Sequence, residues 1–290
     1  MNKKSTYPAL AIVSAMTVPM ALQAQDLTVY GKMHYSIDYA DATNLGGADD
    51  EDWATAPSRA SRLGVKGTED LGNGMKAIFK IESQVGAVLG GRNTYVGLSS
   101  DKGTLLLGRH DTPYKVATGK IGLFGDTAAD SNVVMGTVQS NGGYSLSYDE
   151  RRPLLAMYVS PNMNGFSIAA AVTSNSVAEA AGNDETEGAS LAAMYNNGPF
   201  FAALAYETYE DGAAVFGNAS GTNAAAGNNT DSDAVKIGLG YKANGFSVGF
   251  IHENIDLDDN TNGWSGGRVE FRNCTDQSIF KQYYLQEHSA

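Results

Sequence analysis

The sequence predicts an all-β protein, an antiparallel meandering sheet of the kind that crosses a membrane as a closed barrel. Three observations predict it. From Asp26 onward apolar and polar residues alternate with period two, the spacing at which side chains switch faces along a strand. The connections between the alternating segments are short and long by turns. After Ala24 no run of about 18 apolar residues occurs. Such a chain can span a bilayer only with strands, since helices and closed barrels alone satisfy every backbone polar group there.

The first residues read as a targeting segment. Lys3 and Lys4 give a positive start, an apolar stretch runs from Ala9 to Leu22, and Ala21-Leu22-Gln23-Ala24 ends in a small residue. The sequence therefore predicts a signal peptide over residues 1–24, cleaved after Ala24, and a barrel domain over 25–290. The formal net charge of -12 gives no electrostatic footprint for nucleic acid. The single cysteine, Cys274, excludes an internal disulfide.

The first strand shows the alternation plainly. Leu27, Val29, Met33, Tyr35 and Ile37 take one face, and Thr28, Tyr30, Lys32, His34 and Ser36 the other. The pattern predicts thirteen strands, near residues 26–37, 60–68, 74–83, 92–99, 103–109, 152–160, 165–173, 188–195, 199–207, 233–242, 245–252, 264–272 and 278–286. The short connections are mostly Gly/Asn/Asp turns suited to hairpins, at 69–74, 100–102, 161–164, 196–198, 243–244 and 274–277. The other set, at 38–59, 84–91, 110–151, 174–187, 208–232 and 253–263, is mostly longer and often acidic. Short turns at one end and longer loops at the other describe an outer-membrane barrel. A soluble sandwich has no reason to sort its loops this way.

A search for catalytic chemistry returns little. His34, His110, His252 and His288 form no His-Glu-x-x-His pair. Gly263-Trp264-Ser265-Gly266-Gly267 matches the Gly-x-Ser-x-Gly pattern, but strand-like sequence follows it where a nucleophile elbow needs a helix. The loop at Asp256 to Asn260 lacks the glycine and distal glutamate of a calcium loop. No enzyme activity, cofactor or metal is expected.

The basic residues carry the functional signal. Lys32 lies opposite the apolar set of the first strand; Arg62 and Lys66 alternate with Leu63 and Val65; Lys76 and Lys80 alternate with Ala77, Phe79 and Ile81. If the apolar face meets lipid, these cations face the lumen, where rings of charge select among solutes.

Several runs resemble a known family, the Gram-negative general porins. They are Leu27-Thr-Val-Tyr-Gly-Lys-Met33, Ser61-Arg-Leu-Gly-Val-Lys-Gly-Thr-Glu-Asp-Leu-Gly-Asn-Gly-Met-Lys-Ala-Ile-Phe-Lys-Ile-Glu82, Arg92-Asn-Thr-Tyr-Val-Gly-Leu98, Gly103-Thr-Leu-Leu-Leu-Gly-Arg109 and Ser160-Pro-Asn-Met-Asn-Gly-Phe166. The resemblance implies a passive outer-membrane channel for small hydrophilic solutes and ions, or alternatively a substrate-specific channel for sugars or phosphate. It implies a 16-stranded barrel and a homotrimer. It also implies partners in outer-membrane lipid, lipopolysaccharide and the barrel-assembly machinery. The third long loop, 110–151, would fold into the lumen as a constriction. Its Leu123-Phe124-Gly125-Asp126-Thr127-Ala128-Ala129-Asp130 resembles the constriction motif of enteric porins, some of which carry a glutamate where Leu123 falls. By the same matching, Lys32, Arg62, Arg92 and one or both of Arg151 and Arg152 form the basic wall, with Arg109 close by. Leu123, Phe124, Gly125, Asp126 and Asp130 belong to the loop. Two departures stand out: thirteen strands rather than sixteen, and an end at Glu287-His288-Ser289-Ala290 in place of a terminal aromatic residue. They predict a barrel incomplete at the C-terminus.

Intact-mass measurement on protein from an outer-membrane fraction should find Gln25 as the first residue. Retention of Met1 there would refute export by this route.

Overall fold

A computed structural model describes residues 26–42, 51–86, 90–122, 125–127, 130, 137–139, 145–175, 186–210, 231–257, 264–273 and 280–288. The strands are β1 (Asp26–Lys32), β2 (Asp38–Ala42), β3 (Glu51–Thr55), β4 (Arg62–Gly72), β5 (Met75–Gln84), β6 (Gly90–Ser100), β7 (Gly103–Asp111), β8 (Thr137–Gln139), β9 (Ser145–Ser147), β10 (Arg151–Val159), β11 (Phe166–Asn175), β12 (Thr186–Asn197), β13 (Phe200–Glu210), β14 (Ser232–Ala243), β15 (Phe246–Leu257), β16 (Trp264–Asn273) and β17 (Phe280–His288). Among the described residues one helix, α1 (Pro113–Thr118), follows β7.

Thirteen strands make one antiparallel sheet in the order β1-β4-β5-β6-β7-β10-β11-β12-β13-β14-β15-β16-β17. All thirteen sit where the alternation put them. Two short hairpins, β2-β3 and β8-β9, stand outside this sheet. They occupy parts of 38–59 and 110–151, which the sequence reads as plain loops, and β1 ends at Lys32 rather than continuing to residue 37. Among the described strands no pairing joins β17 back to β1.

Turn chemistry fixes the register at the short end. Asn73-Gly74, Asn164-Gly165 and Asn244-Gly245 each place both residues at positive φ, from 51° to 94°. Asparagine and glycine bear that conformation at little cost, and it matches the twist of a hairpin.

The two faces differ as alternation requires. Leu27, Val29, Leu63, Ile81, Val96, Leu105, Val172, Leu191, Leu204, Ile237 and Leu239 are exposed on one. The other carries buried polar groups, among them Glu82, Asn93, Ser190, Glu207, Lys236 and Glu253. That side is also lined by small residues on β13 and β14: Ala203, Ala205 and Ala234 are buried. Against this wall lies the segment after β7. Thr112 caps α1, its side chain accepting the Lys115 N–H at 3.3 Å, with Pro113 at the helix start. Ile121 then seats on Gly238, Gly240 and Gly249; a Cβ at Gly238 or Gly249 would collide with it, at 2.6 and 2.4 Å.

The same segment shows that the sheet is curled. Ile121 rests on β14 and β15, while Asp126, five residues on, meets Lys32 of β1 and Arg62 of β4. Eight strand spacings separate β4 from β14. Laid flat they would span about 38 Å at ~4.8 Å each, whereas five residues reach roughly 18 Å at most. Even with a side chain's reach at each end, only a curled sheet brings these walls together, and the loop crosses the space between them.

Replacing Gly249 with leucine should unseat Ile121. Overpacking of this kind costs about 1–3 kcal/mol, so trypsin cleavage after the neighbouring Lys120 should quicken roughly ten- to hundredfold while the strands stay resistant. An unchanged rate would mean that the glycine seat does not hold the loop.

Candidate functional site

The lumen-facing side of β1, β4, β5, β6, β7 and β10 gathers cations at one end of six adjacent strands. Lys32 is the last residue of β1 and Arg62 the first of β4; Arg92 lies near the start of β6; Arg151 opens β10. Adjacent strands bring like charges together, which is unfavourable unless anions intervene. Three carboxylates do so, and each is held by two cations.

The first is Asp126, on the loop. Its Oδ2 takes Lys32 Nζ at 2.8 Å and Arg62 Nη1 at 3.2 Å. Asp126 sits at a φ of 61°, and Asp130 fixes that backbone by accepting its N–H at 2.8 Å. The second is Glu82 on β5. Its Oε1 takes Arg92 Nε at 2.5 Å, while Oε2 takes Lys80 Nζ at 3.1 Å and the Tyr30 hydroxyl at 2.7 Å. The third is Asp111, which ends β7. Its Oδ1 lies 3.1 Å from Arg151 Nε and 3.6 Å from Lys115 Nζ. Asn93 donates to its other oxygen at 2.7 Å and accepts from Arg151 at 3.0 Å. Each cluster carries a formal charge of +1 by this count.

Burial opposes ionisation of Asp126, but the Lys32 hydrogen bond and the charges of Arg62, Lys32 and Arg92 outweigh it. They hold the carboxyl below the usual aspartate range.

The predicted residues thus divide. Lys32, Arg62, Arg92, Arg151, Asp126 and Asp130 come together around the loop. Arg152 packs instead on Tyr209 of β13. It is buried, its Nε donating to the Tyr209 hydroxyl at 2.8 Å and its guanidinium 4.7 Å over that ring. Arg109 joins none of the three clusters. It follows Gly108, whose φ of +131° breaks the pleat, and its guanidinium lies over Gly91 of β6. Gly125 is described beside Asp126; Leu123 and Phe124 lie outside the described residues. Sequence reasoning missed Glu82, Asp111, Asn93 and Lys115. A signal for Glu82 was present, since it continues the parity of Lys76 and Lys80 on the same strand.

Comparison with known proteins agrees with the architecture. The sequence profile of the Gram-negative porin family matches residues 9–267. An outer membrane porin protein of Bordetella pertussis is 28% identical over 300 residues, covering 91% of this chain and 71% of that protein. Major outer membrane protein P.IB of Neisseria gonorrhoeae is 30% identical over 169 residues, 55% of this chain and 46% of that protein. The chain therefore spans most of one relative and about half of the other. Among solved structures, the anion-selective porin from Comamonas acidovorans superposes with a TM-score of 0.61 at 20% identity, covering 85% of this chain and 73% of that one, a likeness of fold. The chain belongs to the Gram-negative porin family. It is an outer-membrane protein of a family of channels rather than of enzymes.

The Asp126 contacts set a pH response. A carboxyl depressed in the folded chain contributes fully above its unfolded value, near 3.9, and its contribution disappears as pH falls through the lower folded value. Loop protection measured by hydrogen exchange should therefore survive acidification through pH 4 and fail only below it. Asp126→Asn should abolish this transition and loosen the loop tip at neutral pH by roughly two- to fivefold, as exposed ion pairs contribute up to about 1 kcal/mol. A tip as protected in Asp126→Asn as in the native chain would overturn the assignment.

Proposed function

We propose that the chain is a passive diffusion channel for small hydrophilic solutes and ions, working as a homotrimer, with its aperture between the loop tip and the basic wall. The observation that carries this reading is the reach of Asp126 from one wall to Lys32 and Arg62 on the other. A loop tethered across the lumen divides it, and the gap beside the tether is bounded by charges of opposite sign. Such a transverse field orients dipolar solutes and disfavours apolar ones, more strongly where the aperture is narrow and partly of low dielectric.

The charge balance supports a mild preference for anions. Three carboxylates are each matched by two cations, so the wall keeps an excess of positive charge even with Asp130 counted. The acidic segments within 38–59, 174–187 and 253–263 attract cations, but physiological salt screens charges more than roughly 8–10 Å away. The proposal includes export by residues 1–24, assembly-machinery insertion and a surround of lipid and lipopolysaccharide against the apolar face. It assigns no catalytic step: Ser265 of the Gly-x-Ser-x-Gly match lies within β16, with no helix after it among the described residues.

The test is the zero-current potential across a planar bilayer in a salt gradient. A unit charge about 8 Å from a passing ion contributes ~0.5 kcal/mol in a water-like dielectric. Arg62→Ala with Arg92→Ala removes one cation from each of two clusters, so the anion-to-cation permeability ratio should fall by about twofold or more. If potential and conductance both stay unaltered, these arginines do not line the aperture. Conductance that saturates with a sugar or phosphate would instead mark a substrate-specific channel.

A further inference from the structure

The three clusters of the basic wall do not account for a further charge assembly, buried beneath the loop. Lys236, on β14, is 1% exposed and lies under the loop on the opposite wall. Its ammonium donates to Asp149 Oδ1 at 2.6 Å, lies 3.1 Å from Glu253 Oε2 and stands 4.0 Å over the Tyr114 ring. Tyr114 is the second residue of α1, just after the chain leaves β7; Asp149 lies two residues before β10. One lysine therefore grips the loop both where it enters the lumen and where it leaves. Further bonds brace the same point. The Tyr114 hydroxyl donates to Glu253 at 2.7 Å, the Tyr114 N–H to Ser190 Oγ at 3.0 Å, and Lys115 Nζ to the Asp149 carbonyl at 2.7 Å.

Resting on the aperture reading above, we infer that Lys236 is a positioning residue that sets the aperture by fixing both roots of the constriction loop to one point on the far wall. It acts through Tyr114, Asp149 and Glu253. With both roots fixed, the tip can swing only as far as the intervening segment allows, so Asp126 is presented to Lys32 and Arg62 as a group already in place. Without the lysine, two buried carboxylates face each other with no cation between them. The roots must then separate, and the tip loses its reference point.

The experiment compares the native chain with Lys236→Met, both with Cys274→Ser to remove the native thiol. Hydrogen exchange over residues 112–127 should rise at least tenfold in Lys236→Met, with β10 to β13 unchanged. In planar bilayers the variant should close at lower voltage and with noisier open current. A disulfide then separates pinning from folding. A side-chain carbon of Thr118 lies 3.0 Å from where a Cβ on Gly238 would stand, so Thr118→Cys with Gly238→Cys can join loop to wall, with Ile121→Val in every chain compared to remove the methyl that such a Cβ would meet at 2.6 Å. Oxidising that pair in the Lys236→Met background should restore protection and closing voltage, and reduction should abolish them again in the same protein. If Lys236→Met does not reach its folded form, Asp149→Asn/Lys236→Met/Glu253→Gln, with no buried charge at the point, replaces it with the same expectations. Exchange and closing voltage within twofold of native would overturn the role of Lys236, as would a disulfide that restores neither. A native chain that passes no ions while the exchange arms respond would instead refute the aperture reading and leave Lys236 a fastener of the loop alone.

Discussion

A sheet whose outer face meets hydrocarbon must send its charges to the other face, and the rest of this structure follows from that constraint. Alternation is obligatory, because a one-residue slip would turn the apolar set inward. Cations on adjacent strands, Lys32, Arg62, Lys80, Arg92 and Arg151, are then crowded together on one concave wall. Like charges in such proximity need counter-charges. The chain supplies them from three directions: Glu82 from within the wall, Asp111 from a strand end, and Asp126 from a loop that crosses the lumen. Only the last spans two walls, so charge neutralisation and narrowing of the lumen are one interaction.

The two ends of that crossing are held differently. At the tip, Lys32 and Asp126 keep 39% and 25% of their side chains exposed, and a pair so hydrated contributes on the order of 1 kcal/mol or less. At the roots, Lys236, Asp149 and Glu253 are almost wholly buried, where loss of one partner leaves an uncompensated charge and costs about 3–5 kcal/mol. Small residues make the rooted side possible. Gly238, Gly240 and Gly249 leave room for Ile121, while Ala203, Ala205 and Ala234 line the floor beneath Tyr114 and Tyr148. The result is a loop fixed firmly at its base and lightly at its tip.

Much of the sheet was legible because period two is a local signal and the lipid constraint enforces it without exception on strands such as β13 and β14. Val235, Ile237 and Leu239 are exposed, and Ala234, Lys236 and Gly238 are buried, as alternation demands. The loop was not legible in the same way. α1 has only six residues and depends on its Thr112 cap and on tertiary contacts, so no helical periodicity could announce it. Of the site, Lys32, Arg62, Arg92 and Arg151 were readable from alternation and motif, and Asp126 from resemblance. Arg109 and Arg152 show the limit. Each adjoins a local irregularity, the Gly108 backbone and the bulge between Arg152 and Leu155, and past an irregularity parity no longer says where a side chain goes. Asp111 was missed because β7 runs two residues beyond its expected end.

The pairing of Lys236 with Asp149 could not be read at all, since 87 residues separate them and nothing in either neighbourhood specifies the other. Its physical logic is clearer than its sequence signal. Burying ions offsets most of what their attraction contributes, so net strength is not what sets this cluster apart. What an apolar contact lacks is direction. A hydrophobic seat such as that of Ile121 tolerates sliding along the glycine wall, whereas an ammonium between two carboxylates and an aromatic face has one arrangement that satisfies its donors. On the proposed reading, in which the loop keeps a charge at a fixed place across an opening, orientation matters more than strength, and that favours a buried ion cluster where packing alone would leave the aperture undefined.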